Sequence, residues 1–276
     1  MLIDAHHHLW EYNDRDYVWM TDEMSRLRRD FLLAQLRLVF AQSGVDGSVA
    51  VQARQTLSET EWLLQTARGT SLIRGVVGWV PLIEDRVGDC LDRLSQNPLL
   101  KGVRHVLHDE ADDHYMLRDD FNRGIAQLRP YNLTYDILIF ERHLPQTIQF
   151  VDRHPDQIFV LDHIAKPRIR EAVISPWAEN IRDLAKRQNV YCKLSGMVTE
   201  ANWNTWEKKD LVPYVETVLS AFGANRVMFG SDWPVLTLAS SYRRWSDMVQ
   251  SLIDELSADE QERIRSGSAI AAYRLT

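Results

Sequence analysis

Short apolar stretches rich in β-branched residues alternate along the chain with stretches whose apolar residues recur every three or four positions. The first pattern is typical of buried strands and the second of amphipathic helices. Leu33, Leu36 and Phe40, for example, share one helix face, and Gly44 ends that pattern. Eight strands are predicted, at residues 2–3, 45–54, 75–82, 99–107, 133–140, 158–164, 190–194 and 227–229.

A helix is predicted after each strand, and several helix starts carry a sequence signal. Ser58 and Ser257 are each followed three residues later by Glu, which is the spacing of a capping box. Ser175 precedes Pro176, an order that predicts an N-cap followed by a proline in the first turn. Two terminal helices are predicted to close the chain, the second of them starting at Ser257.

Eight strand and helix units in one chain predict an α/β fold, the (β/α)₈ or TIM barrel, formed by residues 1–276 as a single domain. The alternative, a doubly wound open sheet, would carry a glycine-rich phosphate loop after the first strand. This chain has histidines at that place, which favours the barrel.

Composition narrows the function classes. A net charge of -7, with no run of Lys or Arg, argues against nucleic-acid or lipid partners and leaves a small molecule. The two cysteines, Cys90 and Cys192, lie far apart, as expected in a reducing cytoplasm. No apolar run is long enough to span a bilayer, and the N-terminus lacks the order of a signal peptide. We expect a cytoplasmic protein, whose oligomeric state the sequence does not indicate.

The first ten residues, MLIDAHHHLW, place three histidines directly after an apolar start. In a strand, alternate side chains share a face, so His6 and His8 point one way and His7 the other. Two imidazoles on one face form half of a metal site or an anion clamp. The alternative is a solvated histidine run or a tag remnant, which the flanking Leu9 and Trp10 disfavour.

Asp232 is the sharpest candidate among the polar residues near strand ends. In a closed barrel the last strand neighbours the first, so Asp232 is expected beside His6 and His8 at the carboxyl-terminal mouth. A carboxylate there can ligate a metal, accept a proton from an attacking water, or both. The alternative is a helix N-cap, a common role of Asp.

Five further residues near strand ends are candidates for the site. His163 is a candidate catalytic group, and the alternative is a hydrogen-bonded core histidine. Arg104, His105 and Lys166 are candidates for binding substrate hydroxyls or an oxyanion, and a rim salt bridge is the alternative. Arg104 and His105 project to opposite strand faces, so at most one enters the barrel interior. Trp10 could stack on a sugar-like ring, although packing is the commoner role of such aromatic residues.

Five motifs in one order, DAHHHLW, GVRHVL, FVLDHIAKP, YCKLSG and MFGSDWPV, resemble the amidohydrolase superfamily, and within it the sugar-lactonase branch. The resemblance extends from Ile3 to Tyr273. It implies a TIM-barrel hydrolase in which His6, His8, His163 and Asp232 occupy positions that the family uses for one or two divalent metals and for activating water.

One departure from the family bears on the cofactor. The fifth strand ends in ILIFE, without the histidine that many metal-dependent members carry, and strand four has no lysine at a bridging position. A binuclear centre is therefore not expected. A single Zn²⁺ held by His6, His8 and Asp232 and a metal-free site, as in the related pyrone-dicarboxylate lactonases, are both compatible with the sequence.

The function expected from these residues is hydrolysis of a small sugar lactone, with Asp232 as general base. Three alternatives stay open: a lactonase for a dicarboxylate or muconolactone-type substrate, a metal-dependent decarboxylase on the same barrel, and a binding protein without catalysis. The decarboxylase predicts a histidine on strand five, and the binding protein predicts a site that lacks its acid.

Overall fold

Eight parallel strands pair in chain order in the computed structural model, which describes residues 1–276. The predicted (β/α)₈ fold is confirmed. The sequence predicted two of the strands with their observed bounds, and the others are shorter than predicted or, for the first, longer. The strands are β1 (Ile3–His7), β2 (Gly47–Val51), β3 (Ile73–Gly78), β4 (Leu100–Val106), β5 (Thr134–Leu138), β6 (Phe159–Leu161), β7 (Val190–Leu194) and β8 (Val227–Phe229).

A helix follows each strand, and two more end the chain. No helix has both the length and the apolar character needed to cross a bilayer. The helices are α1 (Leu33–Ser43), α2 (Leu57–Arg68), α3 (Val87–Leu94), α4 (Asp119–Ala126), α5 (Leu144–Asp152), α6 (Trp177–Leu184), α7 (Lys208–Phe222), α8 (Tyr242–Ile253), α9 (Ala258–Glu262) and α10 (Ser268–Tyr273).

The helix ends agree with some of the predicted caps and differ from others. Gly44 ends α1 in the left-handed conformation, and Ser257 caps α9 in a capping box. The box predicted at Ser58 is wrong: α2 begins at Leu57, two residues earlier than that box requires, and its N-cap residue Thr56 accepts the Glu59 N–H. Pro176, not Ser175, is the N-cap residue of α6. Three helices follow β8, not two.

An extra residue in β1 decides which of its side chains face the interior. Asp4 pairs with Ser48 and His7 with Ala50, so three residues of β1 step against two of β2, which is a β-bulge. Below the bulge, Ile3 and Ala5 pack in the interior with Met228, while Asp4 points outward. Above it, His6 and His8 point inward. Without the bulge, Asp4 and His6 would share a face.

The seam between β8 and β1 closes the barrel through few contacts. The Asp232 N–H donates to the His6 carbonyl (2.8 Å), and the His8 N–H donates to the Trp233 carbonyl (2.7 Å). The buried Asp4 carboxylate accepts from the Ser231 N–H (2.8 Å), the Ser231 hydroxyl (2.6 Å) and the Tyr242 hydroxyl on α8 (2.9 Å). Burial raises the pKa of Asp4 to about 6, against the lowering effect of these donors.

The C-terminal helix closes the opposite end of the barrel. Ala272 and Tyr273 of α10 pack with Ile3 and Val49 in the interior cluster, and the Thr134 hydroxyl of β5 donates to the Ala272 carbonyl (2.8 Å). The lumen is therefore accessible from the carboxyl ends of the strands, which is where TIM barrels carry their chemistry.

We predict that Asp4→Asn lowers the free energy of unfolding by about 1–3 kcal/mol, because an amide nitrogen would face buried donors that now share a carboxylate. Urea denaturation measures the change. The control is Asp85→Asn, since Asp85 is exposed and lies 3.9 Å from its ionic partner Arg123. Equal stability of the two variants would contradict a structural role for Asp4 at the seam.

Candidate active site

Four side chains from three strand ends converge at the mouth of the barrel. His6 and His8 come from β1, His163 follows β6, and Asp232 follows β8. His6 Nε2 lies 3.1 Å from His8 Nε2 and 3.8 Å from Asp232 Oδ1, and His8 Nε2 lies 3.4 Å from the same oxygen. The rings of His6 and His163 are 4.4 Å apart, centre to centre. All four side chains are buried.

The backbone around two of these residues is in an uncommon conformation. Asp232 has φ +58° and His163 φ +53°, the left-handed region that costs a non-glycine residue about 1 kcal/mol or more. Gly196 must stay small beside His163, because a Cβ there would lie 2.5 Å from Nδ1 of that ring. Such conformations persist where the surrounding structure holds them, and they concentrate at functional sites.

The hydrogen bonds of His8 determine which of its nitrogens is free. Its Nδ1 lies 2.8 Å from the Val51 carbonyl, which can only accept, so Nδ1 carries the hydrogen. In the neutral ring Nε2 is then a bare acceptor, and it points at Asp232 Oδ1, a second acceptor. Two acceptors this close need a cation or a proton between them. Metal-binding histidines show the same arrangement, with the second nitrogen donating to a carbonyl.

The separations of the three ligand atoms also fit one metal ion. A Zn–N bond is about 2.1 Å long, so two ligands on a tetrahedral ion lie about 3.4 Å apart. The observed separations among His6, His8 and Asp232 run from 3.1 to 3.8 Å. A second possible group contains His6, Asp162 and His163. Its carboxylate is already bound by Lys193 and Arg104, which leaves the first group as the better fit.

A fully buried network of charges lies beneath this cluster. Lys193 Nζ on β7 contacts Asp136 Oδ2 (2.5 Å) and Asp162 Oδ1 (2.8 Å), and Arg104 Nη1 contacts Asp162 Oδ2 (3.0 Å). The Tyr273 hydroxyl donates to Asp136 (2.8 Å) from below. Asp162 Oδ1 lies 3.3 Å from Nδ1 of His6, so the network orients that ring.

Sequence reasoning did not select Asp136 and Asp162. Each is an acidic residue inside or directly after an apolar strand, at a position that alternation directs into the lumen. This pattern is the sequence signal that could have identified them. Burial raises the pKa of Asp136, and Lys193 opposes this effect. For Asp162 the combined effect of Lys193, His6 and Arg104 outweighs burial and holds the pKa well below its usual value.

The charges of the network cancel, and the mouth adds the carboxylate of Asp232. Lys193 and Arg104 balance the two interior carboxylates. Burial lowers the pKa of His163 to about 4 and that of His6 well below its usual value, so both rings are neutral at pH 7. Burial would raise the pKa of Asp232, but His163 and His8 outweigh it, and the pKa is lowered. An anionic Asp232 beside the neutral rings of His6 and His163 suits a bound cation.

Two of the predicted substrate residues, Arg104 and Lys166, lie in different regions of the barrel mouth. Arg104 enters the lumen, where it donates to Asp162 and to the Gln52 carbonyl, and its Nη1 lies 3.4 Å from Nε2 of His6. Its donors are therefore used within the protein. Lys166 lines a cavity of about 800 Å³ outside the mouth, with Nζ 3.4 Å from Glu200. The cavity lining does not include the histidine cluster. Lys166 connects the cavity with the histidine cluster, because its backbone N–H donates to the His163 carbonyl (2.8 Å).

Two predicted substrate residues do not reach the site. His105 lies on the outer face of β4, as the alternation with Arg104 requires, where it stacks on Tyr115 and its Nε2 lies 2.7 Å from Glu110. Trp10 is 1% exposed, and its indole N–H donates to the Arg29 carbonyl (2.9 Å). His105 and Trp10 therefore lie in packing positions, and this geometry does not support the predicted substrate contacts.

Comparison with known proteins gives consistent matches. A family model described as amidohydrolase matches residues 3–275. L-fucono-1,5-lactonase of Burkholderia multivorans is 38% identical, with 99% of this chain and 96% of the relative covered. L-fucono-1,5-lactonase of Burkholderia ambifaria is 36% identical, with 99% and 95% covered.

Two solved structures show how far the fold extends. An amidohydrolase from Burkholderia multivorans, crystallised with bound Zn, is 37% identical and superposes with a TM-score of 0.96 over 100% of both chains. A 5-carboxyvanillate decarboxylase from Sphingomonas paucimobilis, 13% identical, has a TM-score of 0.67 and covers 100% of this chain and 99% of its own. At that identity the likeness concerns the fold alone.

We predict that Lys193→Met lowers the free energy of unfolding by about 3–5 kcal/mol, because it leaves two buried carboxylates with less compensation. Thermal and urea unfolding measure the loss. In the control, Lys186→Met, the lost partner is Asp183 at 3.2 Å on the surface, and about 0–1 kcal/mol is expected. The double variant Lys193→Met/Asp136→Asn should regain part of the stability. A Lys193→Met protein as stable as the control would refute the network's role.

Proposed function

The chain belongs to the amidohydrolase family, and we propose that it is a sugar lactonase that adds water to the ring ester of a small aldonolactone. Lactonase relatives at 36–38% identity over nearly the whole chain support this activity. The observation that carries the proposal is the convergence of His6, His8 and Asp232 at the barrel mouth, where two imidazole nitrogens and one carboxylate meet.

We propose that His6, His8 and Asp232 hold one divalent cation, with zinc as the best fit. The ligand spacing, the orientation of His8 Nε2 toward Asp232 and the lowered pKa of the Asp232 carboxyl support it. A related structure with bound Zn adds to this support. When bound, such an ion supplies positive charge that polarises the lactone carbonyl and lowers the pKa of water.

The protein's own groups would move the proton. Asp232 accepts a proton from water as the water oxygen bonds to the carbonyl carbon, and returns it to the ring oxygen as the ester C–O bond breaks. One water is consumed, and the product hydroxy acid releases a proton to solvent at neutral pH. His163 lies beside His6 and would donate a hydrogen bond to the reacting carbonyl oxygen. Ser195 holds that ring through Nδ1 (2.8 Å).

The alternatives have less support in the described residues. A decarboxylase was expected to carry a histidine at the end of β5, where Leu138 and Ile139 stand. A binding protein without catalysis was expected to lack the acid, whereas Asp232 lies beside both histidines. Turnover measurements distinguish dicarboxylate lactones from sugar lactones as substrates. A cytoplasmic location is also proposed, with free Cys90 and Cys192 as its support.

We predict that Asp232→Asn lowers kcat for L-fucono-1,5-lactone by about 10³-fold or more, because the amide cannot accept the proton. Proton release in weak buffer measures turnover on γ- and δ-aldonolactones and on a dicarboxylate lactone. The control is Asp112→Asn on an exposed loop, which should keep the wild-type rate. Near-normal turnover by Asp232→Asn would exclude the base role, and a wild-type protein inactive on every sugar lactone would exclude the function.

We predict about one zinc per chain in purified protein by elemental analysis, with activity lost on chelation and restored by zinc. His8→Gln should lower zinc affinity by a factor of about 10–100 or more, because a ligand is lost. His7→Gln is the matched control on the same strand: His7 points outward, with Nε2 2.9 Å from the Ser48 hydroxyl, and the variant should keep its zinc. Full activity without metal would support the metal-free alternative.

A further inference from the structure

We propose that the Lys166–Glu200 ion pair binds adjacent hydroxyl groups of the substrate and selects neutral, polyhydroxylated lactones. The inference rests on the proposed function and names a specificity element for it. Lys166 follows β6 and Glu200 follows β7, so the pair spans two neighbouring loops on the side of the mouth away from β1. Glu200 was not selected from the sequence.

The pair has spare hydrogen-bonding capacity. Lys166 Nζ and Glu200 Oε1 lie 3.4 Å apart, longer than a direct charged hydrogen bond of about 2.8 Å. An ammonium has three donors and a carboxylate about four acceptor sites, so most of both remain free. Two adjacent hydroxyls on a ring can accept from the ammonium and donate to the carboxylate together. Both side chains are roughly four-fifths buried, which strengthens such bonds.

The backbone places Lys166 next to the proposed reaction centre. Lys166 lies three residues after His163 and is tied to it by the backbone hydrogen bond described above. On the cavity side, Lys166 Nζ lies 5.7 Å from the ring centre of Phe140, which follows β5 and lines the same cavity. The Phe140 ring also stacks on the ring of His108, with 4.6 Å between the ring centres. A ring whose carbonyl faces His163 would thus have its hydroxyls near the pair and its apolar edge near Phe140.

The charges of the cavity favour a neutral ligand over a dianion. Five cations and four acids line it, and most of the cations are already engaged. Arg168 lies 3.4 Å from Glu171, Arg142 lies 3.4 Å from Asp113, and Arg26 donates to a backbone carbonyl. A dicarboxylate would need at least two free cations in the cavity. A polyol needs balanced donors and acceptors, which the Lys166–Glu200 pair offers.

The test compares two lactones of the same ring size, L-fucono-1,5-lactone and unsubstituted δ-valerolactone. For Glu200→Gln and Lys166→Met, the ratio of kcat/KM for the hydroxylated over the plain lactone should fall by about 10- to 100-fold, mainly through KM, because charged hydrogen bonds to hydroxyls are lost. The control is Glu171→Gln, which breaks an ion pair of equal length in the same cavity and should keep the wild-type ratio.

Binding of the open-chain product, L-fuconate, measured by calorimetry, separates this inference from the lactonase assignment. Weaker binding by Glu200→Gln than by Glu171→Gln supports the inference even if wild-type turnover fails. The inference would be overturned if the kcat/KM ratio were unchanged in Glu200→Gln and Lys166→Met, or if Glu171→Gln reduced it equally. It would also be overturned if the wild-type protein bound neither lactone nor fuconate. Thermal melting confirms that each variant is folded.

Discussion

Closure of the barrel between β8 and β1 is the constraint on which the site depends. Two backbone hydrogen bonds near the mouth, the shared carboxylate of Asp4 and a hydrogen bond from the Ser231 hydroxyl to the His6 carbonyl (3.3 Å) join these strands. The residues that close the seam are also those proposed for the chemistry. The Asp232 N–H donates to the His6 carbonyl, so the backbone hydrogen bond that joins the strands fixes the acid beside the imidazoles. A shift of this seam by one residue would turn His6 away from Asp232.

The bulge in β1 and the charged network below the mouth serve the same geometry. The bulge lets Asp4 point outward to the seam while His6 points inward, which regular alternation forbids. Lys193, Asp162 and Asp136 then occupy the middle of the barrel, where most TIM barrels carry packed aliphatic side chains. Buried charges add little net stability, so we attribute their presence to orientation of His6.

The mouth of the barrel is divided between two kinds of chemistry. The β1 and β8 side, with His163, gathers imidazole nitrogens and the buried carboxylate of Asp232, which suits a cation and an attacking water. The β5 to β7 side presents Phe140, Lys166 and Glu200, which suits the hydroxyls and the apolar edge of a sugar ring. A lactone has both a carbonyl to be attacked and hydroxyls to be held. The two sides of the mouth together match a sugar lactone better than either side does alone.

The sequence by itself determined the order of strands and helices, the barrel class and the placement of His6, His8, His163 and Asp232 at strand ends, because periodicity and alternation are local properties. Only the tertiary structure decided which polar side chains meet. Asp136 and Asp162 became part of the site, and His105 and Trp10 left it, because the β1 bulge, the exact strand ends and the packing of the outer helices depend on contacts between residues far apart in the chain.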